Sequence, residues 1–222
     1  LGLGLGLGLG LGLGLGLGSG SGSGSVLGLG LGINPQIALI GHSFGGKVVC
    51  VSASEADAYK QLGIDASYIN NGTTLPFVST KLFTTTTDEN KFIIAFSGRI
   101  LAQKNPKRFN EIAQQFLSYS NVEFVWIGDG ELRHELSSPN IRVTGWLLED
   151  EVKSELAKAS LYLSTADYEG LSFGVLEAMA LGKPLILSNC TGNKDIIRYG
   201  VNGDLFETTA QACTQIFYYI NN

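Results

Sequence analysis

The sequence is poor in the residues that staple small folds or bind metals, and poor in positive charge. Its three cysteines, Cys50, Cys190 and Cys213, are odd in number, far apart and without a CxxC pair. Neither a disulfide framework nor a zinc site is indicated, and a reducing compartment is expected. Fifteen Lys and Arg against twenty Asp and Glu leave a net charge of -5. That balance argues against a nucleic-acid groove or an anionic membrane surface as the main partner, although local basic residues can still bind phosphate. No charged n-region opens the chain, so no signal peptide is expected.

The first 32 residues lack core-forming sequence. They alternate Leu with Gly to Gly18, Ser with Gly to Ser25, then return through Val26 to Leu-Gly. Half of the thirty glycines fall here, so the tract is set apart from the fold. Residues 1–18 are uncharged and just long enough for a membrane span. A glycine at every second position costs a helix about 0.8 to 1 kcal/mol each, and no basic flank orients a span. An artificial linker, or placeholder residues for an unidentified segment, is the expectation.

From Asn34 onward, short runs rich in Val, Ile and Phe alternate with helical patterns, which points to an α/β fold around a parallel sheet. Strands are expected at 37–40, 48–52, 67–70, 92–97, 123–127, 141–144, 161–164, 184–188 and 204–206. Ser52-Ala53-Ser54-Glu55 reads as a capping box for a helix to about Leu62. Asn105 and Pro106 supply an N-cap and an N1 proline for a helix to about Tyr119. Further helices are expected at 131–136, 149–159, 173–181, 194–199 with Gly200 as stop, and 209–220. Residues 73–90 read as a linker.

The chemistry concentrates in the stretch from Glu169 to Pro184. A strand ends at Ser164, a loop carries Glu169, and a helix begins near Phe173, at the carboxyl edge of the sheet where open α/β folds bind ligands. The free backbone amides around Ser172, Phe173, Gly174 and Val175 suit a phosphate. Glu177, one turn on, can accept two charge-assisted bonds from a vicinal diol such as a ribose. Upstream, Gly98-Arg99 ends a strand and Lys104 follows, so one loop presents two cations suited to a diphosphate.

Two glutamates with seven residues between them, followed by Ala178-Met-Ala-x-Gly182-x-Pro184, resemble the EX7E motif of family 4 retaining glycosyltransferases. Gly98-Arg99 with Lys104 resembles that family's Gly-Arg-x-x-x-x-Lys element. Gly128-Asp-Gly130 resembles its glycine turn, and Gly145-Trp146 resembles the loop whose backbone touches the nucleobase, with Trp146 otherwise a core or stacking aromatic. Thr191-Gly-Asn-Lys-Asp195 resembles a variant of bacterial surface-polysaccharide transferases, with the role of Asp195 open. Cys50-Val-Ser52 and Ile69-Asn-Asn71-Gly72 resemble its interdomain crossing.

The resemblance implies the C-terminal half of a GT-B fold, a Rossmann-like sheet with helices on both faces. Residues 91–222 would be the nucleotide-sugar-binding domain, and 33–90 an incomplete N-terminal part; the usual last helix would run beyond Asn222. It implies transfer of a sugar from a nucleoside-diphosphate donor, expected to be a UDP-sugar, to a saccharide or lipid-linked acceptor with retention. Glu169, Arg99 and Lys104 are then the catalytic candidates. Gly98, Gly145, Trp146, Ser172, Phe173, Gly174, Val175 and Glu177 are the donor-binding ones. No metal and no cofactor is expected, nor any nucleic-acid partner. The expected location is cytoplasmic, at the inner face of the membrane if a missing N-terminal domain associates with it. A nucleotide-sugar-binding fragment without turnover is the alternative.

Gly41-His-Ser43-Phe-Gly45 after an apolar run resembles instead the nucleophile elbow of α/β hydrolases. A working triad needs a histidine downstream, and only His134 follows. A plain glycine turn is the competing reading of Gly41–Gly46.

Overall fold

The computed structural model describes residues 47–73 and 91–222, with the backbone of 26–28. The expected strand at 37–40, the Gly41–Gly46 turn with Ser43, the rest of the Leu-Gly tract and nearly all of the 73–90 linker lie outside the described residues.

Two parallel sheets form. The smaller has the order β1 (Val26–Gly28), β2 (Lys47–Cys50), β3 (Ala66–Tyr68), with α1 (Ala53–Gln61) connecting β2 to β3. Within the 1–32 tract, set apart for its lack of core-forming sequence, the backbone at Val26 pairs in register with Lys47. A ladder needs extended backbone with free N–H and C=O groups, and no particular side chain.

The larger sheet contains β4 (Phe92–Ser97), β5 (Val122–Ile127), β6 (Ile141–Val143), β7 (Leu161–Ser164), β8 (Leu185–Ser188) and β9 (Gly203–Phe206). Their order is β6-β5-β4-β7-β8-β9, all parallel. The order reverses between β4 and β7, and such a reversal opens a crevice beyond the carboxyl ends of the strands.

Alternation in the strands divides the core into two layers. Ile94 and Phe96 of β4 pack with Phe109 and Ile112 of α2 (Pro106–Gln114) and with Ile216 of α6 (Thr209–Asn221). Ala95 packs on the other face with Leu156 of α3 (Glu149–Lys158) and Val175 of α4 (Phe173–Ala180). Phe96, Phe109 and Trp126 are fully buried, and Phe109 stacks edge-on against Trp126 at 5.1 Å.

Local rules placed most helices within a residue or two, and three departures have physical causes. Residues 131–136 form only a 3-10 turn, Arg133–Glu135, although Leu132 and Leu136 both pack against the aromatic core; i to i-3 bonds such as Glu135 N to Leu132 O at 3.0 Å close the turn, and Asn110 Oδ1 accepts the N–H groups of Ser137 and Ser138 that follow it. The helix from Pro106 ends at Gln114 and tightens into i to i-3 bonds, such as Phe116 N to Ala113 O at 3.0 Å, a common way of satisfying the last carbonyls. The helix expected at 194–199 is α5, Asn193–Ile196. Its end is fixed by Asn202, whose Oδ1 accepts the Arg198 N–H at 2.8 Å and whose Nδ2 donates to Ile196 O.

Only half of the expected capping box at α1 forms. Ser52 Oγ accepts the Glu55 N–H at 3.3 Å, but the Glu55 carboxylate accepts the N–H of Val51, not that of Ser52.

Candidate functional site

The crevice between β4 and β7 is built by two loops and one helix start. After β4 the chain turns through Gly98, whose φ of +148 suits glycine. Its carbonyl accepts the indole N–H of buried Trp126 at 2.9 Å. Gly128, φ +140, lies so close that a Cβ there would stand 2.2 Å from Gly98 O. The turn is therefore pinned from below, and Arg99 leaves it exposed, with no ion pair among the described residues.

The loop 99–105 is laced to the loop after β7. Thr165 Oγ1 donates to Lys104 O at 2.9 Å, Asp167 N to Gln103 O at 2.9 Å, and Asn105 Nδ2 to Asp167 Oδ1 at 2.9 Å. Asn105 takes a left-handed φ of 49 while its side chain caps α2 through the Arg108 N–H. This lacing carries Lys104 onto Glu169: the ammonium donates to Glu169 Oε1. Glu169 is 2% exposed, and its other oxygen, Oε2, has no partner among the described residues. Burial pushes its carboxyl above the usual carboxylate range, against the opposing pull of Lys104.

Helix α4 points its amino end at the same place. A Cβ on Gly174 would lie 2.2 Å from Ser97 Oγ and 2.7 Å from the Tyr162 hydroxyl, so only glycine lets the helix start sit on the carboxyl end of β4. The first intrahelical acceptor is Ser172 O, which receives the Leu176 N–H at 3.1 Å, and no side chain caps the start. The amides of Phe173, Gly174 and Val175 are therefore left with the partial positive charge of a helix N-terminus.

Glu177 lies one turn further, partly buried, with no hydrogen bond or ion pair to its carboxylate among the described residues. Burial raises its pKa, Lys153 lowers it and Glu149 raises it; Lys153 is itself paired with Glu149 at 2.6 Å.

Most of the residues singled out in the sequence thus share one sheet edge. Gly145, φ +77, bridges Gly128 beside the Gly98 turn. Trp146 is 66% exposed, which removes the core reading of that side chain. Sequence reasoning missed Thr165, Asp167 and Gln103, whose bonds span more than sixty residues and leave no local signature. It also missed two further buried atoms at this edge without partners among the described residues, Ser164 Oγ and Asn193 Oδ1. His134 stands exposed on its 3-10 turn, 3.7 Å from Glu135. Among the described residues no group of three His, Cys, Asp or Glu is placed to hold a metal ion, and no helix is long and apolar enough to cross a membrane.

Comparison with known proteins follows the same span. Residues 91–220 match the family model described as glycosyl transferases group 1. The chain is 28% identical over 130 residues to the Escherichia coli UDP-Gal:alpha-D-GlcNAc-diphosphoundecaprenol alpha-1,3-galactosyltransferase, over 53% of this chain and 33% of that one. It is 26% identical over 178 residues to the 2-deoxystreptamine N-acetyl-D-glucosaminyltransferase of Niallia circulans, over 69% and 44%. The chain spans less than half the length of either relative. Among solved structures, Anabaena HepE in complex with UDP superposes with a TM-score of 0.74 at 18% identity, over 88% of this chain and 62% of that one. The shared architecture is that of GT-B glycosyltransferases.

Proposed function

This chain belongs to the group 1 glycosyl transferases, and from that premise we propose that it carries the donor site of a family 4, retaining enzyme that moves a sugar from a UDP-sugar to a saccharide or lipid-linked acceptor. One observation carries the reading. The uncapped start of α4 sits against Ser97 at the end of β4, two residues before Arg99 in the chain, and the loop that leads into α4 carries a buried carboxylate held by Lys104.

In this reading the donor diphosphate lies against the amides of Phe173, Gly174 and Val175, where aligned dipoles favour anions. Arg99 and Lys104 neutralise it. An ammonium has three donors, so the bond from Lys104 to Glu169 leaves two for phosphate oxygens. Glu177 accepts the ribose hydroxyls, while Gly145 and Trp146 border the base. Glu169 Oε2 accepts a hydroxyl of the donor sugar, which supplies the partner that a buried acceptor otherwise lacks. Preorganised charge on the leaving diphosphate is the main catalytic contribution, and a diphosphate oxygen on the same face takes the acceptor proton as the new glycosidic bond forms. No step requires a metal or cofactor. UDP in the HepE neighbour and the lipid-linked acceptor in the name of the E. coli relative support the donor and acceptor classes. With a lipid-linked acceptor the reaction would take place at a membrane face.

Calorimetric titration with UDP tests the site. Two charge-assisted bonds of roughly 1.5 to 3 kcal/mol each make Glu177→Ala weaken UDP at least tenfold. Unchanged affinity rejects the assignment.

A further inference from the structure

Hydrogen bonds from the small sheet's unit to the large one end beside Glu169. Ser54, at the second position of α1, donates its backbone N–H to Asp195 Oδ2 at 2.9 Å. Its hydroxyl accepts the N–H of Gly192 at 2.8 Å, in a buried bond. Asn71 Nδ2 donates to Leu171 O at 2.9 Å. Asp195 thus places a carboxylate on an unsatisfied amide at a helix N-terminus, where both the hydrogen bond and the dipole favour it.

The 190–195 turn is in turn fused to the Glu169 loop. Glu169 donates its N–H to Thr191 O at 3.2 Å. Gly192, φ +83, is so close that a Cβ would lie 2.1 Å from Gly170 O and 2.7 Å from Glu169 O. Backbone packed this tightly moves together. The segment bearing Glu169 is therefore gripped on one side by Thr191 and Gly192, which Ser54 holds, and on the other at Leu171, which Asn71 holds.

We propose that Asp195 and Ser54 form a clamp through which the N-terminal unit positions Glu169, making Asp195 a positioning residue for sugar transfer. The inference rests on the reading of Glu169 as the carboxylate that meets the donor sugar. The clamp aims that carboxylate, whereas the diphosphate contacts at Arg99 and the start of α4 are built by other bonds. Loosening the clamp therefore separates recognition of the sugar from recognition of UDP.

The test compares the full chain with Asp195→Ala, Asp195→Asn and Ser54→Ala. Hydrogen exchange over residues 166–172 is followed, together with calorimetric affinities for UDP and for the tighter of UDP-glucose and UDP-galactose. Asp195→Ala is expected to speed exchange over 166–172 at least fivefold, because local opening sets exchange. UDP affinity stays within twofold, while the nucleotide sugar loses at least fivefold relative to UDP. Asp195→Asn, which keeps an acceptor oxygen, restores most of both; Ser54→Ala reproduces part of each. Faster exchange confined to 51–56 overturns the proposal, and so does an equal loss of UDP and nucleotide sugar, which marks a purely structural support. If the unaltered chain binds neither ligand, the donor-site reading fails on its own account, and exchange over 166–172 still decides the coupling.

Discussion

The ion pair of Lys104 and Glu169 closes across the switch point of the sheet, with one carboxylate oxygen held and the other buried without a partner among the described residues. The two side chains are 12% and 0% exposed, so the pair lies where neither charge is well hydrated. Its halves are 65 residues apart.

Removing the lysine leaves the carboxylate uncompensated. Lys104→Met is expected to cost about 3 to 5 kcal/mol at neutral pH, as for other broken buried pairs. Without Lys104 the folded pKa of Glu169, already raised by burial, rises further above its unfolded value. A raised group contributes stability that is present below the unfolded pKa and lost as pH rises through the folded one. The deficit is therefore smaller at pH 4 than at pH 8, and urea denaturation at both pH values checks the sign.

Gly174 is a steric gate for the anion site. Gly174→Val would drive its side chain into Ser97 and the Tyr162 hydroxyl and push the start of α4 off β4. UDP affinity is expected to fall at least tenfold with the far-ultraviolet circular dichroism retained. Retained affinity would separate the helix start from the phosphate.

Arg99 makes no ion pair among the described residues and is exposed. Arg99→Ala should leave stability within about 0.5 kcal/mol, as surface substitutions do. UDP affinity should drop and become less sensitive to salt, because one exposed cation no longer contributes to a screened attraction. Calorimetry at 50 and 300 mM NaCl measures both.

Glu177 carries a pKa raised chiefly by burial. Only the carboxylate accepts both ribose hydroxyls, so UDP binding should weaken as pH falls through that raised value. Glu177→Gln should flatten the profile; a profile identical in the two proteins would remove Glu177 from the ribose.

The aromatic core holds the platform beneath these loops. Phe109 is fully buried between Phe96, Phe124 and Trp126. Phe109→Ala is expected to cost about 3 to 5 kcal/mol, read from the fluorescence of Trp126 during denaturation.

Much of this was written locally. The strands at Phe92–Ser97 and Leu161–Ser164 and the start of the helix at Phe173 follow from runs and periods that a short window contains. The two glutamates and the Gly98-Arg99 turn also lie within such windows, and the family assignment of residues 91–220 agrees with them. The helix expected at 131–136 is only a 3-10 turn, and the chain after it is held by Asn110, a partner 27 residues away that no short window contains.

Sequence by itself determined the order of strands and helices, the glycine positions and the chemical types available at the sheet edge. These depend on neighbours within a few residues, through dihedral preferences and side-chain alternation. Only the tertiary structure decided that Lys104 meets Glu169, that Gly174 seats a helix on Ser97 and that Asp195 holds Ser54 across 141 residues. Those partnerships are set by the strand order and the tight approach of distant backbones, and no local preference encodes either.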